Sequence, residues 1–361
     1  MSILHRSSCV CCEPLVLGRR NLLAAAGATA LVAASPLAAQ PLPTQAKPHR
    51  IDVHHHLSPP AWVAAMKAAK LDSPPVNDWT PQRSLDEMDR AGIATSILSV
   101  TQPALGFLGA AEAASVARAS NDYAASLARD HPGRFGLFAV LPMPHVDETL
   151  AEIAYALDVL KADGVAFMTS YGTDPSATKF LGDPAFTPIM EELNRRHAVA
   201  YTHPDNPACC RNLNVAGIPP VIVEYGTDTT RTIASLVFSG TSARLPNIEF
   251  IFSHAGGTVT SLTERMMVQI ELYPKFKTFT GAGVLAELRR FHYDTAQAAN
   301  PVAMAALTKM VDVSQILFGT DYPYRTAPEQ VAGLASVFNA AELARIERAN
   351  AQALLPRWRD G

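Results

Sequence analysis

Four short runs in this 361-residue chain carry residue types and spacings suited to metal or acid–base chemistry. Asp52-Val53-His54-His55-His56 places two imidazoles at i and i+2, and alternate residues of a strand share a face. His54 and His56 can therefore grip one ion, while His55 turns to the opposite side. The other runs are Tyr201-Thr202-His203-Pro204, Phe252-Ser253-His254-Ala255-Gly256-Gly257 and Phe318-Gly319-Thr320-Asp321-Tyr322-Pro323. Each puts a His or Asp just ahead of a turn-forming Pro or Gly. A lone buried His is usually a packed core residue, but four such residues at equivalent positions make a constellation. The Gly256-Gly257 pair is expected to let a substrate approach closely.

These residues need elements that bring them to one place. Short apolar runs suited to strands fall at 51–56, 96–101, 135–141, 164–169, 198–203, 248–254, 291–295 and 315–320. Helical periodicity fills 83–91, 110–130, 147–162, 184–197, 228–244, 258–272, 300–312 and 340–354. Eight such units over about 300 residues predict an α/β fold, a (β/α)8 TIM barrel, with its chemistry at the C-terminal ends of the strands. The rival, an open doubly wound sheet, lacks a Gly-rich phosphate loop after its first strand. Residues 57–80, with Pro59, Pro60, Pro74 and Pro75, form an insertion expected to fold over the barrel mouth.

Residues 1–39 have the order of an export signal: Arg19-Arg20, a short Ala/Leu/Gly/Val run, then Ser35-Pro36-Leu37-Ala38-Ala39 as a cleavage zone. The paired arginines resemble a twin-arginine signal, which implies a periplasmic protein with no stable membrane anchor after cleavage. Residues 40–50 read as a linker and 51–361 as the barrel. The chain is 48% hydrophobic and 17% charged with a net charge of −3, which argues against disorder and against nucleic-acid binding. The leader carries +2, so the remainder stands near −5. Cys9, Cys11 and Cys12 leave with the leader, and the adjacent Cys209 and Cys210 cannot staple a fold.

Together with Trp79-Thr80-Pro81, Glu87-Met88-Asp89, Gly92-Ile93 and Asn350-Ala351, these motifs resemble the amidohydrolase superfamily. More narrowly they resemble the aminocarboxymuconate-semialdehyde and γ-resorcylate decarboxylases over residues 50–356. The resemblance implies that His54, His56, His203 and Asp321 hold one divalent ion, Zn²⁺, with His254 as the acid/base residue and Asp321 sharing the catalytic work. It further implies substrate contacts from Trp79, Arg231 and Arg265, the last reaching into a neighbouring subunit of a homodimer. Strand 164–169 has no lysine to carboxylate, so a single-metal site is expected. No arginine lies between Arg50 and Arg83, where the muconate enzymes carry a carboxylate anchor. The segment looks more like the 6-methylsalicylate decarboxylases, and the substrate expected is a small carboxylic acid such as a 2-hydroxybenzoate. A metal-dependent hydrolase of a lactone or amide would use the same residues, and a periplasmic metal- or ligand-binding protein without turnover would need the metal ligands but not His254 as acid/base.

Overall fold

The computed structural model describes residues 49–210 and 217–359. The leader and most of the linker lie outside the described residues; Arg50, assigned to the linker, begins the first strand. Among the described residues no helix is long and apolar enough to cross a membrane.

Eight parallel strands pair in chain order: β1 (Arg50–His56), β2 (Ile93–Ser99), β3 (Phe135–Val140), β4 (Gly164–Met168), β5 (Val199–His203), β6 (Glu249–Phe252), β7 (His292–Asp294) and β8 (Ile316–Leu317). The residues after β8 close the ring onto β1. Val53 N–H donates to Phe318 O (3.0 Å), Asp321 N–H to His54 O (2.9 Å) and His56 N–H to Tyr322 O (2.8 Å). The expected barrel is thus present and closed, with no exposed sheet edge to manage. Ile51, Val53, Ile97, Phe138, Ala166, Tyr201, Ile251 and Leu317 fill its interior, joined by Leu355 and Trp358 from the C-terminal segment. A second, larger cluster packs the helices onto the outside of the strands.

Local chemistry accounts for where element boundaries depart from expectation. The helix expected from 83 starts at Pro81, because Thr80 Oγ1 accepts the Arg83 N–H and Pro81 occupies the first turn. The helix expected at 228–244 is two. One runs Pro220–Phe238, opened by Pro220; Gly240, at φ +76°, separates it from Thr241–Arg244. Helices at Val284–Arg290 and Ala327–Ala335 had no counterpart in the periodicity reading. The 57–80 insertion holds two helices, Pro60–Ala68 and Pro74–Asp78, pinned to the loop after β2 by Trp62 Nε1–H donating to Ala104 O (2.8 Å).

Candidate metal centre

At the C-terminal end of β1 the register with β2 shifts between Asp52 and His55. Such a bulge re-aims side chains beside a site. It leaves Val53 in the barrel core and still presents His54 and His56 together inside the mouth. His55 lies on the other face, and its hydrogen bonds form a directed chain. Trp79 Nε1–H donates to Ser84 Oγ (2.9 Å), Ser84 bonds His55 Nε2 (2.9 Å), and His55 Nδ1–H donates to Asp52 Oδ2 (3.1 Å). Buried Asp52 also accepts from His54 N–H (3.0 Å), Thr320 N–H (3.1 Å) and the Thr320 hydroxyl (2.6 Å). One carboxylate therefore ties the β1 end to the turn that carries Asp321.

Four of the expected residues, His54, His203, His254 and Asp321, offer ligand atoms that all lie within 4.8 Å of one another. His56 joins them: its Nε2 is 3.1 Å from His54 Nε2 and 3.1 Å from Asp321 Oδ1. His54 Nε2 is 3.2 Å from the same oxygen. The far nitrogens of three rings are already committed. His54 Nδ1–H donates to Asp294 Oδ2 (2.8 Å), His56 Nδ1–H to Ser99 O (3.3 Å) and His203 Nδ1–H to Pro204 O (2.9 Å). These bonds orient the rings and leave Nε2 lone pairs for the centre, as outer partners of metal-ligating histidines do. His254 differs. It sits at φ +55° in the turn beyond β6, and its buried Nε2 has no hydrogen-bond partner and faces Asp321 Oδ2 at 3.5 Å. Asp321 is also left-handed, at φ +65°. With Ala255 (φ +56°) and Gln297 (φ +54°), four non-glycine residues held in that region at one site mark strain maintained by the surrounding bonds.

The electrostatics match a cation-binding centre. Burial resists charge on His54, but Asp294 and Asp321 outweigh it and raise its pKa to about 10. Burial, with the neighbouring imidazoles, holds His203 well below the ordinary histidine value, and burial likewise lowers His56. Burial would raise Asp321, but charged His54, the nearby His254 ring and bonds from His54 and His56 keep it well below the carboxylate range. An ionised carboxylate, two neutral imidazoles and a third, His54, whose Nε2 proton a cation would displace, form a donor set that fits one divalent metal.

Asp294 escaped the sequence reading, although it ends β7 as Asp321 follows β8. Besides orienting His54, it accepts the His254 N–H (2.9 Å) and the Ala296 N–H (3.0 Å) through Oδ1. Gln297, likewise unforeseen, donates its amide to Asp321 Oδ2. The role expected for Gly256-Gly257 needs correcting. A Cβ on Gly257 would stand 2.0 Å from Gly226 O, and one on Gly256 would stand 2.8 Å from the Tyr293 ring. The pair serves backbone packing rather than substrate approach.

Beside the cluster lies a cavity of about 600 Å³, lined by Gln102, Tyr171, Tyr225 and Tyr324 on one side and by Met66, Leu71, Val76 and Phe107 from the insertion and the loop after β2. Tyr324 stacks edge-on to His56 at 5.8 Å. The insertion therefore walls the mouth, as expected. The three expected substrate contacts lie elsewhere. Trp79 is buried and bonded to Ser84. Arg231 stands 3.9 Å from Glu224 on the Pro220–Phe238 helix, and Arg265 is exposed on the Val259–Leu272 helix. None of them lines this cavity.

The profile of the amidohydrolase family matches residues 51–357, and the chain belongs to that family. It is 38% identical over 289 residues to the decarboxylase yanB of Aspergillus niger, covering 76% of this chain and 77% of that one. It is 35% identical over 281 residues to the 6-methylsalicylic acid decarboxylase of Penicillium expansum, covering 76% and 85%. Among solved structures, the dihydroxybenzoic acid decarboxylase of Polaromonas sp. JS666, with bound manganese and 2-nitroresorcinol, superposes with a TM-score of 0.76 at 20% identity. That match covers 85% of this chain and 97% of that one, and at this identity it speaks to the fold.

Proposed function

We propose that the protein is a metal-dependent, non-oxidative carboxy-lyase acting on a small aromatic acid such as a 2-hydroxybenzoate. The observation that carries this is the 35–38% identity to the two fungal decarboxylases over three quarters of the chain, joined to a site able to hold a metal. His54, His56, His203 and Asp321 are the ligands, because all three rings have Nδ1 occupied, His54 and His56 turn Nε2 to Asp321 Oδ1 at 3.2 and 3.1 Å, and His203 stands in the same cluster. Zn²⁺ suits three imidazoles and a carboxylate; manganese, bound by the Polaromonas enzyme, is the competing ion. When bound, the ion neutralises the substrate carboxylate and the adjacent phenolate.

His254, outside that set, gives a proton from Nε2 to the ring carbon bearing the carboxylate. The carbon–carbon bond then breaks, its electron pair restores the aromatic ring, and CO₂ leaves. Solvent returns the proton to His254. Asp321 Oδ2, 3.5 Å away, keeps the imidazole aimed. Incubating metal-loaded protein with hydroxybenzoates and lactones separates the functions: released CO₂ is expected, ring-opened acid would establish a hydrolase, and neither product would leave a binding protein. Elemental analysis of protein purified without added metal identifies the ion.

Localisation and assembly belong to the same proposal. Arg19-Arg20 direct export to the periplasm with cleavage near Ala39, and Arg19→Lys with Arg20→Lys should retain the chain in the cytoplasm. The chain pairs as a homodimer. Ile222, Val223, Val268 and Leu272, exposed on the Pro220–Phe238 and Val259–Leu272 helices, support this as uncovered apolar side chains, the latter two on the helix that carries Arg265. Sedimentation equilibrium at the chain's monomer mass would overturn it.

A further inference from the structure

The cavity beside the histidine cluster is two-sided. Its inner side is polar, with Gln102, Tyr225 and Tyr324; Tyr324 lies against His56, and burial raises its phenol to about 12. Its outer side, formed by Met66, Leu71, Val76 and Phe107 with Ser73 as its one hydroxyl, is mostly apolar. Leu71, one of the lining residues, is 44% exposed, a large aliphatic side chain that its own fold leaves partly uncovered. Gly106 leaves that space open: a Cβ there would meet only Pro103 O, at 3.5 Å. The volume, about 600 Å³, is in the range of sites for much larger ligands than one ring.

We propose that the substrate is an aromatic acid carrying an unbranched apolar substituent longer than methyl, which lies along Met66, Leu71, Val76 and Phe107 while the carboxylate end meets the histidine cluster. The orientation of the acid rests on the decarboxylase function proposed above; the apolar chamber is a property of the cavity itself. Each methylene moved from water onto this wall favours binding by about fourfold. The loss of chain freedom offsets part of that gain.

The test is a series of 2-hydroxybenzoates substituted at position 6 with hydrogen, methyl, propyl and pentyl, offered to the metal-loaded protein. Calorimetry measures binding and CO₂ release gives kcat/KM for the same compounds. The expected result is tightening of Kd by at least tenfold from methyl to pentyl, with kcat/KM rising in parallel. Two variants locate the effect. Leu71→Asp places a charge on the wall, and Gly106→Leu fills the chamber. Each should lower the pentyl-to-unsubstituted ratio of affinities by about tenfold, and a ratio within twofold of wild type in both would remove the wall from recognition. Weakening from methyl to pentyl in wild type overturns the proposal even if every compound releases CO₂. Tightening along the series without CO₂ from any compound supports the chamber and sinks the decarboxylase function alone.

Discussion

Asp294 offers the sharpest test of how the centre is built. In the wild type its Oδ2 accepts the His54 Nδ1 proton at 2.8 Å, and its Oδ1 accepts two backbone N–H groups, from His254 and Ala296. In Asp294→Asn the amide oxygen must stay with the two backbone donors, so the NH₂ group faces His54 Nδ1. Two donors cannot share that contact, and His54 must move its proton to Nε2, the atom aimed at the centre. Ligation through Nε2 needs the Nδ1–H form of His54, which this NH₂ group opposes, so the variant binds metal against that contact or loses one ligand. Loss of such an outer partner lowers metal affinity by about 10- to 100-fold, or about 1.4–2.7 kcal/mol. Competition with a chromophoric chelator measures the affinity. Thermal melting of the metal-free variant shows whether the barrel is intact. A variant that folds normally and holds metal within twofold of wild type would refute the claim that Asp294 sets the His54 tautomer.

Three further outcomes are expected. His254→Ala should keep close to one metal per chain while its rate falls by roughly 10²–10⁴, the range for losing a general acid; co-loss of metal would instead make His254 a ligand. Asp52→Ala removes the acceptor for four donors in a fully buried place. Urea denaturation should show a loss of about 3–5 kcal/mol, and a loss below 1 kcal/mol would mean that the tie between β1 and the Asp321 turn carries no stability. Metal-free protein should have a bell-shaped stability profile. His54, raised to about 10, stabilises the fold fully below the ordinary value of 6.5, and that contribution is lost as pH rises through 10. His203, held neutral by burial, costs stability as pH drops below 6.5. Bound metal should flatten the alkaline limb, where it takes the place of the His54 proton, and an unchanged limb in differential scanning calorimetry would contradict this.

The repeating strand–helix order was legible along the chain, because buried parallel strands are written as short apolar runs and their helices as 3.6-residue patterns with Pro and Gly at the ends. The sequence also marked His54, His56, His203, His254 and Asp321, since a barrel gathers the C-terminal ends of its strands in one place whatever lies between them. The same rule covered Asp294, but a single Asp after a three-residue strand has no distinguishing neighbours. Only the closed ring shows that it lies against His54, 240 positions away. Trp79 read as a substrate contact because an aromatic in a Trp-x-Pro motif beside the mouth has no assigned direction in a sequence. The fold turns its Nε1–H onto Ser84 and makes it the far end of the chain to Asp52. The glycine pair after His254 has the same ambiguity: close approach was legible, but its object is the Gly226 backbone. Which nitrogen of each histidine is free, and which side of the mouth is apolar, depends on atoms brought together across the barrel. Tertiary structure alone decided both.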